Sequence, residues 1–67
     1  MQQRTLAMNV KRLRTRCGLT QAEVAKKTKV SQAYIAQLET GVETNPTLAT
    51  LKQLAKTLKV SVGELVG

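Results

Sequence analysis

The sequence predicts an all-α domain built from five short helices. Three observations carry that prediction. A helix-start device recurs along the 67 residues: a Ser or Thr cap with an apolar residue just before it and another a turn later. Between these starts the apolar residues return every third or fourth position instead of alternating. Phe and Trp are absent and Tyr34 is the only aromatic ring, so the core must be aliphatic, which favours helices over a β-sandwich. A chain this short makes one domain, expected to cover residues 1–67. No solenoid-type repeat or low-complexity tract interrupts it.

The first helix is read from the stripe Leu6, Val10, Leu13 and Cys17, which Gly18 ends. The second opens at Leu19-Thr20-Gln21-Ala22-Glu23-Val24. There Thr20 caps, Glu23 reaches back to it, and Leu19 and Val24 staple the turn. Val24 and Ala25 anchor this helix in the core.

The third helix opens at Val30-Ser31-Gln32-Ala33-Tyr34-Ile35, with Ser31 as cap and Tyr34 where a box acid would stand. Ile35 and Leu38 anchor it, and Gly41 closes it as a left-handed terminator. Val42 to Pro46 is the one sizeable loop. Pro46 blocks a helical approach to the fourth helix, which Thr47 caps and Leu48, Leu51, Leu54, Ala55 and Leu58 line. The fifth is about one turn, with a Ser61–Glu64 capping box stapled by Val60 and Leu65.

Only about four residues, Thr28 to Ser31, separate the second and third helices. That spacing suits a helix-turn-helix, in which the second helix of the pair is presented outward by the first. At about 100° per residue, Ile35 and Leu38 share one face of the presented helix. The opposite face carries Gln32, Ala33, Ala36, Gln37 and Thr40, with no charge. An ordinary solvent face would hold lysine and glutamate, as the other helices do. This face suits the major groove of DNA: glutamine can bond N7 and N6 of adenine, and alanine can sit against a thymine methyl. The plain alternative is a surface that happens to lack charge.

Charge agrees with an anionic partner. Eleven basic residues against four acids leave a net +7. Nucleic acid is the commonest partner of such a domain, an anionic membrane surface is the rival, and a solvated basic surface is the alternative without a partner. The sequence has no long apolar run of the signal-peptide kind and no bilayer-spanning segment, and a lone cysteine makes no internal disulfide. A cytoplasmic protein without membrane attachment is expected, with Cys17 as a small core residue. With no histidine, one cysteine and four scattered acids, no metal site, nucleophilic triad or carboxylate pair can be assembled. Neither an enzyme, a cofactor nor a small-molecule ligand is expected.

Over nearly its whole length the chain resembles the helix-turn-helix domains of the lambdoid phage repressor and Cro proteins and the wider XRE-like regulators. The resemblance rests on "LRTRCGLTQAEVAKKTKVSQAYIAQLETG" and "NPTLATLKQLAKTLKVSVGELV". Ala25 matches the small residue where the two helices cross, and Val24, Val30, Ile35 and Leu38 match the motif's apolar positions. The resemblance implies a five-helix, lambda-repressor-like fold that binds double-stranded DNA at a palindromic operator as a homodimer, formed on DNA or before it. It also implies control of transcription, with repression ahead of activation.

Residue by residue, Gln32 matches a glutamine that often reads adenine in relatives, and Ala33, Ala36 and Gln37 match other groove-facing positions. Gln21 matches a glutamine that holds a phosphate and braces the reading glutamine. Arg14 and Glu39 match a structural ion pair. The residues themselves also support that pair, because Glu39 lies between the core and groove faces, where a bare acid would repel phosphate. Glu39→Ala is expected to loosen the domain rather than to alter sequence preference.

Contacts to the DNA backbone are expected from Thr20, Gln21 and Thr40, and from Lys11 and Lys27 among the basic clusters. Lys52, Lys56 and Lys59 are expected to face solvent. Two departures from the family pattern stand out. Lys29 occupies a turn position that is usually glycine, and would be modestly strained at positive φ. The loop after the third helix, often basic in relatives, reads Val42-Glu43-Thr44-Asn45. Thr44, Asn45 and Thr47, with backbone N–H groups opening the fourth helix, would have to hold phosphate there against Glu43. Val62, Leu65 and Val66 either close the core or meet their twins across a two-fold axis. An antitoxin-like or adaptor module with an acidic protein partner is the rival reading, and it gives no reason for paired glutamines on an uncharged helix face.

Overall fold

Each helix in the computed structural model, which describes residues 5–42 and 45–67, starts on a side-chain hydroxyl. Among the described residues the elements are α1 (Leu6–Arg16), α2 (Gln21–Thr28), α3 (Gln32–Thr40), α4 (Leu48–Leu58) and α5 (Val62–Val66), with no strand. The Met8 N–H donates to Thr5 Oγ1, Glu23 to Thr20, Tyr34 to Ser31, Thr50 to Thr47 and Glu64 to Ser61, all at 3.0–3.1 Å. Thr20–Glu23 and Ser61–Glu64 complete reciprocal capping boxes, as expected. Thr5 caps α1, a role the sequence reading did not assign.

The helix ends repeat a second device. Gly18, Lys29 and Lys59 all adopt the left-handed conformation, with φ of 72°, 61° and 62°. After each, the next N–H bonds back five residues: Leu19 to the Arg14 carbonyl, Val30 to Ala25 and Val60 to Ala55. These are Schellman closures, and two of the three place lysine where glycine is favoured. They make the segments Ala25–Ser31 and Ala55–Ser61 near copies in sequence and in shape. Because Thr28 belongs to α2 and is buried, the turn before α3 is only Lys29–Ser31.

The core is aliphatic. Val10, Leu13, Val24, Ala25, Ile35, Leu38, Leu54, Ala55, Leu58 and Leu65 are buried, with Tyr34 packed at the margin. α1 packs on α3 and α5, α2 on α3 and α4, and α4 on α5. Leu48, expected among the core-lining residues of α4, is instead 60% exposed. It opens the helix ahead of the buried turns, and the α4 stripe reaches the core only from Leu51. Leu65 is fully buried, so of the two roles open to it, it closes the core and is withdrawn from the dimer-contact candidates.

Among the described residues, Thr28 and Asn9 carry polar groups into this interior. Thr28 Oγ1 donates to the Val24 carbonyl within its own helix at 2.7 Å. Asn9 Nδ2 donates to the Leu65 carbonyl at 2.9 Å, tying α1 to the short α5. Sequence reading passed over Asn9. Its position between Leu6, Val10 and Leu13 in the apolar stripe was the available signal.

Candidate nucleic-acid interface

α3 is held by its apolar side and offers the other. Ile35 and Leu38 are buried, Gln32, Ala33, Gln37 and Thr40 are exposed, and Ala36 is half-buried. The Ser31 cap and the left-handed Gly41 (φ 86°) delimit the presented surface, which has no relief larger than glutamine. The Thr40 hydroxyl donates to the Gln37 carbonyl at 3.2 Å.

The one charge on α3 is taken out of the face. Glu39 has a side chain only 4% exposed and accepts three hydrogen bonds. Arg14 Nε (2.5 Å) and Nη2 (3.1 Å) approach it from α1, and Gln21 Nε2 (3.0 Å) from α2. Arg14 Nη1 also donates to the Leu19 carbonyl at 2.9 Å, sealing the turn between α1 and α2. Burial pushes the Glu39 carboxyl up, but the hydrogen bonds from Arg14 and Gln21 and the charges of Arg14 and Lys11 outweigh it. The net shift is below the usual carboxylate range. The bond to Glu39 holds the Arg14 guanidinium above its ordinary value against the opposing effect of burial.

This hub relocates Gln21. The resemblance implied a brace from Gln21 to Gln32, whereas its amide is spent on Glu39, so it fixes α2 to the base of α3. Thr20 stands exposed at the α2 N-terminus, with its N–H on Glu23 Oε1 at 2.8 Å. Asn45 and Thr47 are exposed just before α4, where Thr47 Oγ1 also donates to Thr50 Oγ1. Thr44 and Glu43 lie outside the described residues. Lys11 is exposed and close enough to Glu39 to stabilise its charge.

Lys27 sits elsewhere than expected. It lines a cleft of about 500 Å3 with Gln53, Lys56 and Lys59, and no residue of α3 borders that cleft. The reason is rotational. Val24, Ala25 and Thr28 turn into the core, which swings Lys27 toward α4. Lys52, Lys56 and Lys59 are exposed, as expected. Cys17 is half-buried rather than a full core residue, its thiol 3.5 Å from the Leu58 carbonyl. Val62 is half-buried and Val66 is 46% exposed.

An outward helix with an uncharged face, carried on a second helix by a three-residue turn and locked by a buried ion pair, defines a helix-turn-helix protein. Comparison with known proteins agrees. The family profile described as "Helix-turn-helix" matches residues 10–65. The uncharacterized HTH-type transcriptional regulator y4dJ of Sinorhizobium fredii (strain NBRC 101917 / NGR234) is 50% identical over 58 residues, covering 87% of this chain and 74% of the relative. An uncharacterized HTH-type transcriptional regulator of Coxiella burnetii (strain RSA 493 / Nine Mile phase I) is 38% identical over 63 residues, 94% of this chain but 29% of the relative.

A crystal structure of SinR, master regulator for biofilm formation, in complex with DNA superposes with a TM-score of 0.86 at 30% identity. It covers 91% of this chain and 97% of the SinR chain. The chain therefore belongs to the XRE-type helix-turn-helix family. Among the described residues, no helix is long and apolar enough to cross a membrane.

Proposed function

We propose that this chain is a cytoplasmic, non-enzymatic, sequence-specific double-stranded DNA-binding regulator of transcription, acting as a repressor. The observation that carries the reading is the exposed, uncharged face of α3, from which the only acid has been withdrawn into the Arg14–Glu39–Gln21 hub. The SinR–DNA complex supports the choice of partner. In the major groove Gln32 and Gln37 offer paired donor and acceptor groups to base edges, while Ala33 and Ala36 admit thymine methyls. Thr20, the second amide hydrogen of Gln21, Thr40, Thr44, Asn45 and Thr47 hold the backbone, with Lys11 supplying charge.

A symmetric homodimer reads two half-sites about 10–10.5 base pairs apart. Val62 and Val66 remain as its contact candidates, since Leu65 is occupied in the core. Selection of bound duplexes from a random pool tests the proposal. The expected product is a palindrome with half-sites about one helical turn apart. Recovery of duplexes with no shared sequence would refute base reading, and a single unpaired half-site would refute the dimer.

A further inference from the structure

We infer that the cleft between α2 and α4 is a docking groove for an acidic polypeptide segment, separate from the DNA-reading face. Three ammonium groups, those of Lys27, Lys56 and Lys59, stand around it, and among the described residues no carboxylate borders it. Glu23 flanks Lys27 on its other side, with its carboxylate committed to the Thr20 N–H. Three like charges around one cleft repel one another, and an anionic occupant relieves that repulsion. The lysines are exposed and form the rim, whereas Cys17, Leu19 and Thr57 are half-buried and form the floor.

That floor argues for a polypeptide rather than a phosphate backbone. A duplex presents phosphates on its outer edge and brings no apolar side chain to cover Leu19. An acidic segment with a leucine or similar residue satisfies rim and floor together. The cleft runs along α4 from Gln53 to Lys59, about 9 Å at helical rise, which suits a stretch of chain rather than a point anion. No residue of α3 borders it, so the groove stays open while α3 occupies DNA. The protein can then hold DNA on one side and an acidic protein partner on the other.

The test uses a fluorescent peptide of about a dozen residues, Asp and Glu with leucine at every third or fourth position, titrated with the full chain at low ionic strength. Binding is expected, and Lys27→Gln/Lys56→Gln/Lys59→Gln should weaken it about tenfold or more. An equal-charge control, Arg12→Gln/Arg16→Gln/Lys52→Gln, should weaken it far less. On the wild-type chain, the amide resonances of Leu19, Gln53 and Thr57 should shift while those of Gln32 to Gln37 stay in place, a readout independent of how the variants fold. Adding operator duplex should leave the peptide bound. Absence of binding, equal weakening by the two variants, shifts centred on α3, displacement by duplex, or equal competition by inorganic tripolyphosphate would each overturn the inference.

Discussion

Glu39 shows how a single residue can serve the interface by being absent from it. Its carboxylate is matched by Arg14 and Gln21, so α3 presents no negative charge to phosphate. Removing one partner of such a pair leaves the other uncompensated, at a cost of roughly 3–5 kcal/mol when burial is deep. A domain of this size commands only about 0.05–0.15 kcal/mol per residue in total. Glu39→Ala should therefore lose most of its cooperative thermal transition, and a variant that melts like the parent but prefers a different operator would contradict this.

Acid acts through the same residue. The folded carboxyl titrates below its unfolded value, so its contribution is complete above the ordinary carboxylate range and fades as pH falls through the folded value. In denaturant melts, the stability gap between the parent and Glu39→Gln should narrow as pH drops below about 4. Glu23 shifts in the same direction but is common to both proteins, so it cancels from the gap. Lys29 carries a different kind of cost, a left-handed backbone on a residue with a Cβ. Relief of about 1–2 kcal/mol, less the greater freedom of glycine in the unfolded chain, leaves Lys29→Gly more stable by about 0.5–1 kcal/mol. A lower melting temperature for that variant would count against the strain.

At the scale of the element, α3 divides by face, with anchoring on the buried Ile35 and Leu38 and, under the proposed function, base reading by Gln32, Ala33, Ala36 and Gln37. Gln32→Ala should lose discrimination at one base position by about 1–3 kcal/mol, read as the ratio of affinities for the matched and mismatched operator. Equal weakening on every duplex would remove Gln32 from base reading. The α5 helix has one turn and cannot hold itself. Its docking rests on Leu65 in the core and on the Asn9 bond to the Leu65 carbonyl. Asn9→Ala should cost about 1–3 kcal/mol and raise amide exchange in α5 first. Uniform exchange across the chain would show that the bond has no local role.

At the scale of the whole molecule, positive charge is divided between the side of the α3 hub and the α2–α4 cleft. Lys11 lies near the α3 hub, while Lys27 joins Lys56 and Lys59 around the α2–α4 cleft. Lys11→Ala should weaken binding to all duplexes alike and reduce the slope of log affinity against log salt by about 0.9 per subunit. Lys27→Ala should leave that slope nearly unchanged, and the reverse pattern would move the backbone contact to α2.

Four of the five helix starts, the Gly18 and Gly41 stops and most of the aliphatic core positions were legible in the chain because they depend on neighbours three or four residues apart; the Thr5 cap and the exposure of Leu48 were not. The helix-turn-helix and its uncharged face followed from the same short-range spacing. Three features depended on residues distant in sequence that packing brings together. Gln21 turned from Gln32 to Glu39, Lys27 rotated toward α4, and Asn9 reached Leu65 across 56 positions. Of the two left-handed lysines, Lys29 stands where the resemblance led the sequence to be read for a positive φ, while Lys59 was not anticipated. Each is followed by a valine that packs against the core and bonds back five residues, to Ala25 and Ala55. Local periodicity sets which face of a helix is apolar, but only the packed neighbour sets which polar group meets which.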